Sequence, residues 1–270
     1  MTDHLLRENA PVTDEAWAAI DEEAARTLRH LLAGRALVEF AGPKGWRHSA
    51  HDLGRVSPVS GPGEGVTGQL RTVQPLVELR TVFDVARAEI EAVDRGSEAP
   101  DLAPVVDAAR RAALAEDTAV FHGYAAGGIT GIAGASSHPP AHLSDDYDKY
   151  PTSVARAVAR LRQAGVGGPY ALALGSRCYT GVVETTEHGG YPLLEHLRLI
   201  VGGPVLWAPG VDGAVLLSQR GGDYRFVSGQ DFSIGYLSHD ETAVRLYIEE
   251  SFTLQVLEEA AAVWLHYPAT

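Results

Sequence analysis

The 270-residue chain has a single cysteine, Cys178, and a single methionine, Met1. One thiol cannot close an intrachain disulfide and excludes a zinc site built from several cysteines, so a reducing cytoplasm is the expected setting. Apolar residues make up 45% of the sequence, yet no run approaches the ~20 residues a membrane-spanning helix needs. The first eleven residues lack a basic head or an apolar stretch of signal-peptide length, and Pro11 interrupts what little hydrophobicity they have. Material found outside cells would have left without a Sec-type signal. Positive charge is also scarce, with 22 Lys and Arg against 35 Asp and Glu, a net charge of -13. Nucleic-acid affinity rests on cationic side chains that release counterions from phosphate, which argues against such a partner.

Catalytic signatures are missing too. There is no G-x-S-x-G turn, no H-E-x-x-H pair and no phosphate loop. Gly63 to Gly68 (GEGVTG) has the letters of a dinucleotide fingerprint, but Pro58 and Pro62 before it and Pro75 after it deny the strand and helix that the mechanism requires. His138 and His142 are spaced as a helical metal pair, with Pro139 and Pro140 between them to rule out the helix. Asp145, Asp146 and Asp148 lack the glycine and terminal glutamate of a calcium loop and read as a solvated turn. Cys178, expected at a strand end, reads as a buried small hydrophobe.

What is present is periodicity. Thr13 caps a helix in which Trp17, Ile20, Ala24, Leu28 and Leu31 recur every three or four residues up to Gly34. Ala36 to Phe40 then reads as a short strand. The arms Leu53 to Val56 and Leu70 to Val73 flank a Gly/Pro/Ser-rich tip, a long hairpin with too little apolar face to stand alone in water. A neighbouring subunit is the natural support. Leu76 to Phe83 reads as a buried strand, Asp84 to Asp94 as a helix, and Pro104 to Tyr124 as the longest helix, suited to be a spine. From Thr152 the pattern is α/β, and after Arg220 it turns to long strands. The order implies a compact inserted domain, residues 126–219, within an elongated domain drawn from both ends of the chain.

Two surfaces invite binding. Glu184 to Pro192 (ETTEHGGYP) is an ordinary polar loop or, if five copies meet on an axis, a pore rim of Glu187, His188, Gly189, Gly190 and Tyr191, in which His188 would respond to pH. Leu28, Leu31, Arg35, Val38 and Glu39 could form one wall of a groove for an extended peptide.

The stretches LLRENAP and TDEAWAAIDEEA, Gly42 to Trp46, PLVELR at Pro75 to Arg80, Gly168 to Tyr170, Gly190 to Pro192, RGGDY and GQDFSIGY resemble, in order and spacing, the encapsulins, bacterial shell proteins that enclose cargo enzymes. The resemblance implies an α+β fold of the tailed-phage major capsid type (Hong Kong 97). Residues 1–52, 81–125 and 220–270 would form the peripheral domain, 53–80 the extension loop and 126–219 the axial domain. It implies a non-enzymatic subunit of an icosahedral shell of about 60 copies and roughly 1.7 MDa. Cargo would dock a C-terminal peptide between Leu28, Leu31, Arg35, Val38 and Glu39 on one side and Asp231, Phe232 and Ile234 on the other. The wording is most similar to members loaded with a dye-decolorizing peroxidase, with a ferritin-like protein as the second cargo. Some encapsulins hold a flavin through a tryptophan on the helix after PLVELR; Arg87-Ala88-Glu89 stand in that region, so no cofactor is expected. Removal of residues 1–32 is expected to leave particles intact but empty. The competing readings are a phage or prophage major capsid protein and a bacteriocin- or protease-like activity, for which the sequence supplies neither a nucleophile motif nor a cationic membrane face.

Overall fold

The computed structural model describes residues 4–187 and 190–268. Its strands are β1 (Glu39–Ala41), β2 (Ala50–Ser60), β3 (Thr67–Pro75), β4 (Val77–Ala86), β5 (Ala141–His142), β6 (Tyr170–Leu174), β7 (Val205–Trp207), β8 (Ala214–Ser218), β9 (Tyr224–Ser228), β10 (Ser233–His239), β11 (Ala243–Val256) and β12 (Ala262–His266). The helices are α1 (Asp14–Leu31), α2 (Ala33–Leu37), α3 (Arg87–Asp94), α4 (Ala103–His122), α5 (Ile132–Ala135), α6 (Tyr150–Gln163), α7 (Ser176–Glu184) and α8 (Leu193–Val201).

One sheet is organised on the 14-residue β11. Strand β4 pairs antiparallel along one side of it, from Ala243↔Ala86 to Phe252↔Val77. Strands β10 and β9 follow one another along β11, and β1 lies parallel to β9. The second sheet runs β5-β12-β8-β6-β7. Its central strands β6 and β8 are buried at every residue, the mark of a sheet covered on both faces.

Helix α4 joins the two cores. Val105, Ala108, Ala109, Ala112 and Ala113 pack with Trp17 and Ile20 of α1 and with Phe83, Val85 and Leu246. Ala119, Val120 and Phe121, at its other end, pack with Leu172, Leu216, Phe226 and Phe252. Alanine on that face lets α1 approach closely, and 20 residues span about 30 Å, enough to reach both clusters.

The hairpin β2–β3 forms a sheet of its own, closing from Ala50↔Pro75 at the base to Ser60↔Thr67 at the tip. Val56, Val59, Val66, Leu70 and Val73 are all exposed on it. Its ties to the rest of the chain are at the base, where Gln74 Nε2 donates to the Leu254 carbonyl at 2.7 Å.

Five expectations change. Ala36 and Leu37 belong to helix α2 rather than a strand, and pairing begins only at Glu39. The cause is remote: the Asp117 carboxylate accepts from the amides of Ala33 (3.0 Å) and Gly34 (2.9 Å), an N-terminal cap that no local sequence supplies. Asp84 to Ala86 extend β4, because β11 offers partners as far as Ala243, and α3 starts at Arg87. Cys178 lies in the first turn of α7, not at a strand end; it is buried as expected. Residues 220–270 do not stay in one sheet, since β12 leaves to pair with β8 and β5 in the second. Similarly, Val77 to Arg80 belong to the first sheet through β4 and not to the hairpin.

Candidate functional site

Two of the peptide-groove residues, Arg35 and Asp231, belong to an ionic centre. Arg35 donates through Nε and Nη2 to the Glu116 carboxylate (2.6–3.0 Å), through Nη1 to Asp231 (2.6 Å) and through Nη2 to Glu250 (3.2 Å). Its guanidinium also lies over the rings of Phe232 (4.8 Å), Phe226 (5.1 Å) and Phe40 (5.3 Å). Burial opposes the Arg35 charge, but the Glu116 hydrogen bond and the surrounding carboxylates outweigh it and hold the cation firmly. Glu250 Oε1 is buried without a donor. Burial and the neighbouring Glu116 push the Glu250 carboxyl well above the usual range, so a proton shared with Glu116 satisfies it. Burial likewise raises Asp117 to about 7, against the opposing hydrogen bonds from Gly34 and Ala33. Arg35 is thus saturated by its own chain. Its effect on a guest would pass through Asp231 and Phe232, which it fixes.

The predicted residues separate into four places. Leu28, Phe232 and Ile234 line one cleft of about 310 Å³ with Leu5, Arg7, Asp21, Ala24, Ala25, Ser233 and Ile248. Arg35 and Asp231 form the ionic centre beside it. Val38 and Glu39 line a second cleft of about 180 Å³ with Gln219, Gly222 and Tyr224, where Glu39 accepts from the Gly222 amide at 2.6 Å. Leu31 is buried in the core under α1. The sequence reading missed the N-terminal wall of the first cleft. There Leu5 is buried, Arg7 sits 3.9 Å over the Trp17 ring, and Arg7 pairs with Asp21 at 2.8 Å. It missed Glu116 and Glu250 as well. The signal for Glu116 and Asp117 was available: they fall three and four residues after Ala113 and before Val120, on the apolar face of α4.

Of the expected pore residues, His188 and Gly189 lie outside the described residues. Glu187 is turned toward its own chain, both carboxylate oxygens lying 2.9 Å from His196 Nδ1 on α8. Its amide donates to the Tyr191 carbonyl at 2.9 Å, and Gly190 takes φ +80° to close the loop. The Tyr191 side chain is exposed. Elsewhere, His138 is bound to the Ala260 carbonyl at 3.0 Å, while His142 meets His266 edge to face, ring centroids 5.0 Å apart. The Cys178 sulfur lies 3.4 Å from the hydroxyls of Tyr150 and Tyr267.

Two sheets bridged by one long helix, with a projecting hairpin, define a class of protein: chains with the Hong Kong 97 capsid fold. Solved structures share it. The virus-like particle from Pyrococcus furiosus aligns with a TM-score of 0.60, covering 93% of this chain and 97% of that one at 15% identity. A chain of Gordonia phage Cozz aligns with a TM-score of 0.57, covering 89% and 87% at 14% identity. Within that class the chain belongs to the encapsulin family. Residues 1–253 match the family described as encapsulating protein for peroxidase. The chain is 50% identical to the Type 1 encapsulin shell protein of Rhodospirillum rubrum, over 96% of this chain and 95% of that protein. It is 46% identical to the one from Brevibacterium linens (96% and 98%) and 44% identical to the one from Mycobacterium tuberculosis (98% and 99%). The phage likeness is one of fold alone. The chain is a structural shell subunit, not an enzyme, and no helix among the described residues is long and apolar enough to cross a membrane.

Proposed function

We propose that about 60 copies close into an icosahedral compartment around a cargo enzyme. The observation that carries this reading is the hairpin β2–β3, five of whose aliphatic side chains are exposed along arms that its own chain supports only at the base. A two-stranded ribbon of this kind is marginal in water, so a second copy must cover it. The hairpin then serves as the extension loop, the sheet on β11 as the peripheral domain and the sheet on β8 as the axial domain.

The cleft between α1, Leu5 and β10 would hold the C-terminal tail of the guest. Leu28, Phe232 and Ile234 supply apolar contact, and the Arg35–Asp231 pair fixes the wall. Each tail binds weakly because it must be ordered, and a guest oligomer regains affinity through effective concentration. A dye-decolorizing peroxidase is the first candidate guest, in keeping with the description of the matching family, and a ferritin-like protein the second. Glu187, Gly190 and Tyr191, with His188 and Gly189, would rim the pore on the five-fold axis.

The test is purification of particles from the native host, with a denaturing gel of the proteins inside them. Phe232→Asp places a charge in the cleft and should yield particles of normal size without guest. Guest retained at the wild-type level would remove the cleft from the account.

A further inference from the structure

The register of β10 carries information that its side chains do not. In an antiparallel pair, alternate residues turn both backbone groups toward the partner strand and the residues between turn theirs away. Tyr236 turns away, because its amide donates not to β11 but to the carbonyl of Leu5, at 2.9 Å. Ile234 is two residues earlier in the same unbroken stretch of register, Ser233↔Glu249 to Tyr236↔Leu246. Its N–H and C=O therefore face the same edge. Neither has a partner among the described residues, whereas the Phe232 amide is already taken by its own Asp231 carboxylate at 2.8 Å. The chain's own N-terminal segment thus occupies one position of the β10 edge and then departs, since Leu6 adopts a left-handed φ of 53° and opens a short 3-10 turn. The open position at Ile234 borders the 310 Å³ cleft.

We infer that the guest tail binds by adding a strand to β10, exchanging backbone hydrogen bonds with Ile234 in line with Leu5. This rests on the cargo reading above and specifies its chemistry. An unpaired donor and acceptor on one residue of an edge strand match an extended peptide backbone; the interior of a helix has no free backbone groups to offer them. The cleft then receives every second side chain of the tail. Leu28 and Ile248 line it together with the small side chains of Ala24 and Ala25. Affinity would be set by the backbone and selectivity by aliphatic residues at alternate positions.

The test uses a monomeric fluorescent protein carrying the C-terminal tail of the protein that copurifies with native shells, co-expressed with the shell. Loading is read as fluorescence per particle. Ile234→Pro removes a donor that is not part of the β10–β11 ladder, a substitution edge strands tolerate. It should leave particle size unchanged and lower loading roughly two- to tenfold below Ile234→Ala, which trims the same buried side chain but keeps the donor. Should Ile234→Pro fail to assemble, a proline scan of the tail against wild-type shells decides, with loss expected at alternate positions, including ones where alanine is neutral. Equal loading by Ile234→Pro and Ile234→Ala, or proline losses that only repeat the alanine losses, would overturn strand addition and leave the cargo cleft standing. An unmodified tail that fails to load would remove both.

Discussion

Arg35 is the side chain whose loss should be felt most. It is the cation for Glu116, and it reaches Asp231 and Glu250 as well. Arg35→Met leaves Glu116 buried and unpaired, which costs about 3–5 kcal/mol, and it frees Asp231 and Phe232. Thermal unfolding should show the loss of stability, and guest content should fall with it. Asp117 makes a prediction about pH. Its pKa is raised in the fold from an ordinary 3.8 to about 7, so the folded state binds the extra proton and stability falls as pH rises between those values. The effect is of the order of a few kcal/mol. Wild-type subunits should lose stability between about pH 4 and 7 relative to Asp117→Asn, whose side chain does not titrate; parallel curves would contradict this. The resemblance had set Arg35 and Asp231 on facing sides of one groove, but the Arg35–Glu250 contact was not legible, because the two are 215 residues apart and local pattern does not record such pairs.

Elements read well where periodicity decides and poorly where a remote partner does. Helix α1, helix α6, strand β6 and the hairpin follow from spacing, turn residues and capping alone. Helix α2 does not, because its cap is on α4, and neither does the length of β4, which β11 sets. Leu28 and Phe232 could be placed on facing sides of one groove from resemblance, whereas Leu5 and Arg7, which also line it, lie ahead of the first periodic residue. The hairpin tip offers an element-scale test. A Cβ on Gly61 would lie 1.7 Å from the Val66 carbonyl oxygen, so Gly61→Ala must reshape the turn. Subunits should keep their circular dichroism and assemble poorly. A second test concerns the loop after β7, clipped from both sides: Asp212 donates its amide to His122 Nε2 at 2.8 Å, and its carbonyl accepts from Trp264 Nε1 at 2.8 Å. Burial lowers the His122 pKa, so the clip's stability is present above about 6.5 and lost as pH falls below it. The protection of the Asp212 amide against hydrogen exchange, taken relative to its intrinsic rate at each pH, should fall in mild acid.

At the scale of the whole molecule, the proposed assembly lays the apolar hairpin of one copy on a different part of the next. Contacts of that kind are heterologous and propagate until they close, so a finite particle is expected where rotation permits closure. Removal of residues 1–32 now carries a different expectation from that drawn on sequence. Trp17, Ile20, Ala24, Leu28 and Leu31 pack into the core shared with α4, and the truncated chain should fail to assemble instead of giving empty shells. The mass of the purified chain at low concentration, by sedimentation or native mass spectrometry, bears most directly on the account. A single closed species near 60 subunits, roughly 1.7 MDa, is the predicted result, and a lone 28.7 kDa chain that persists across buffers and concentrations would contradict it.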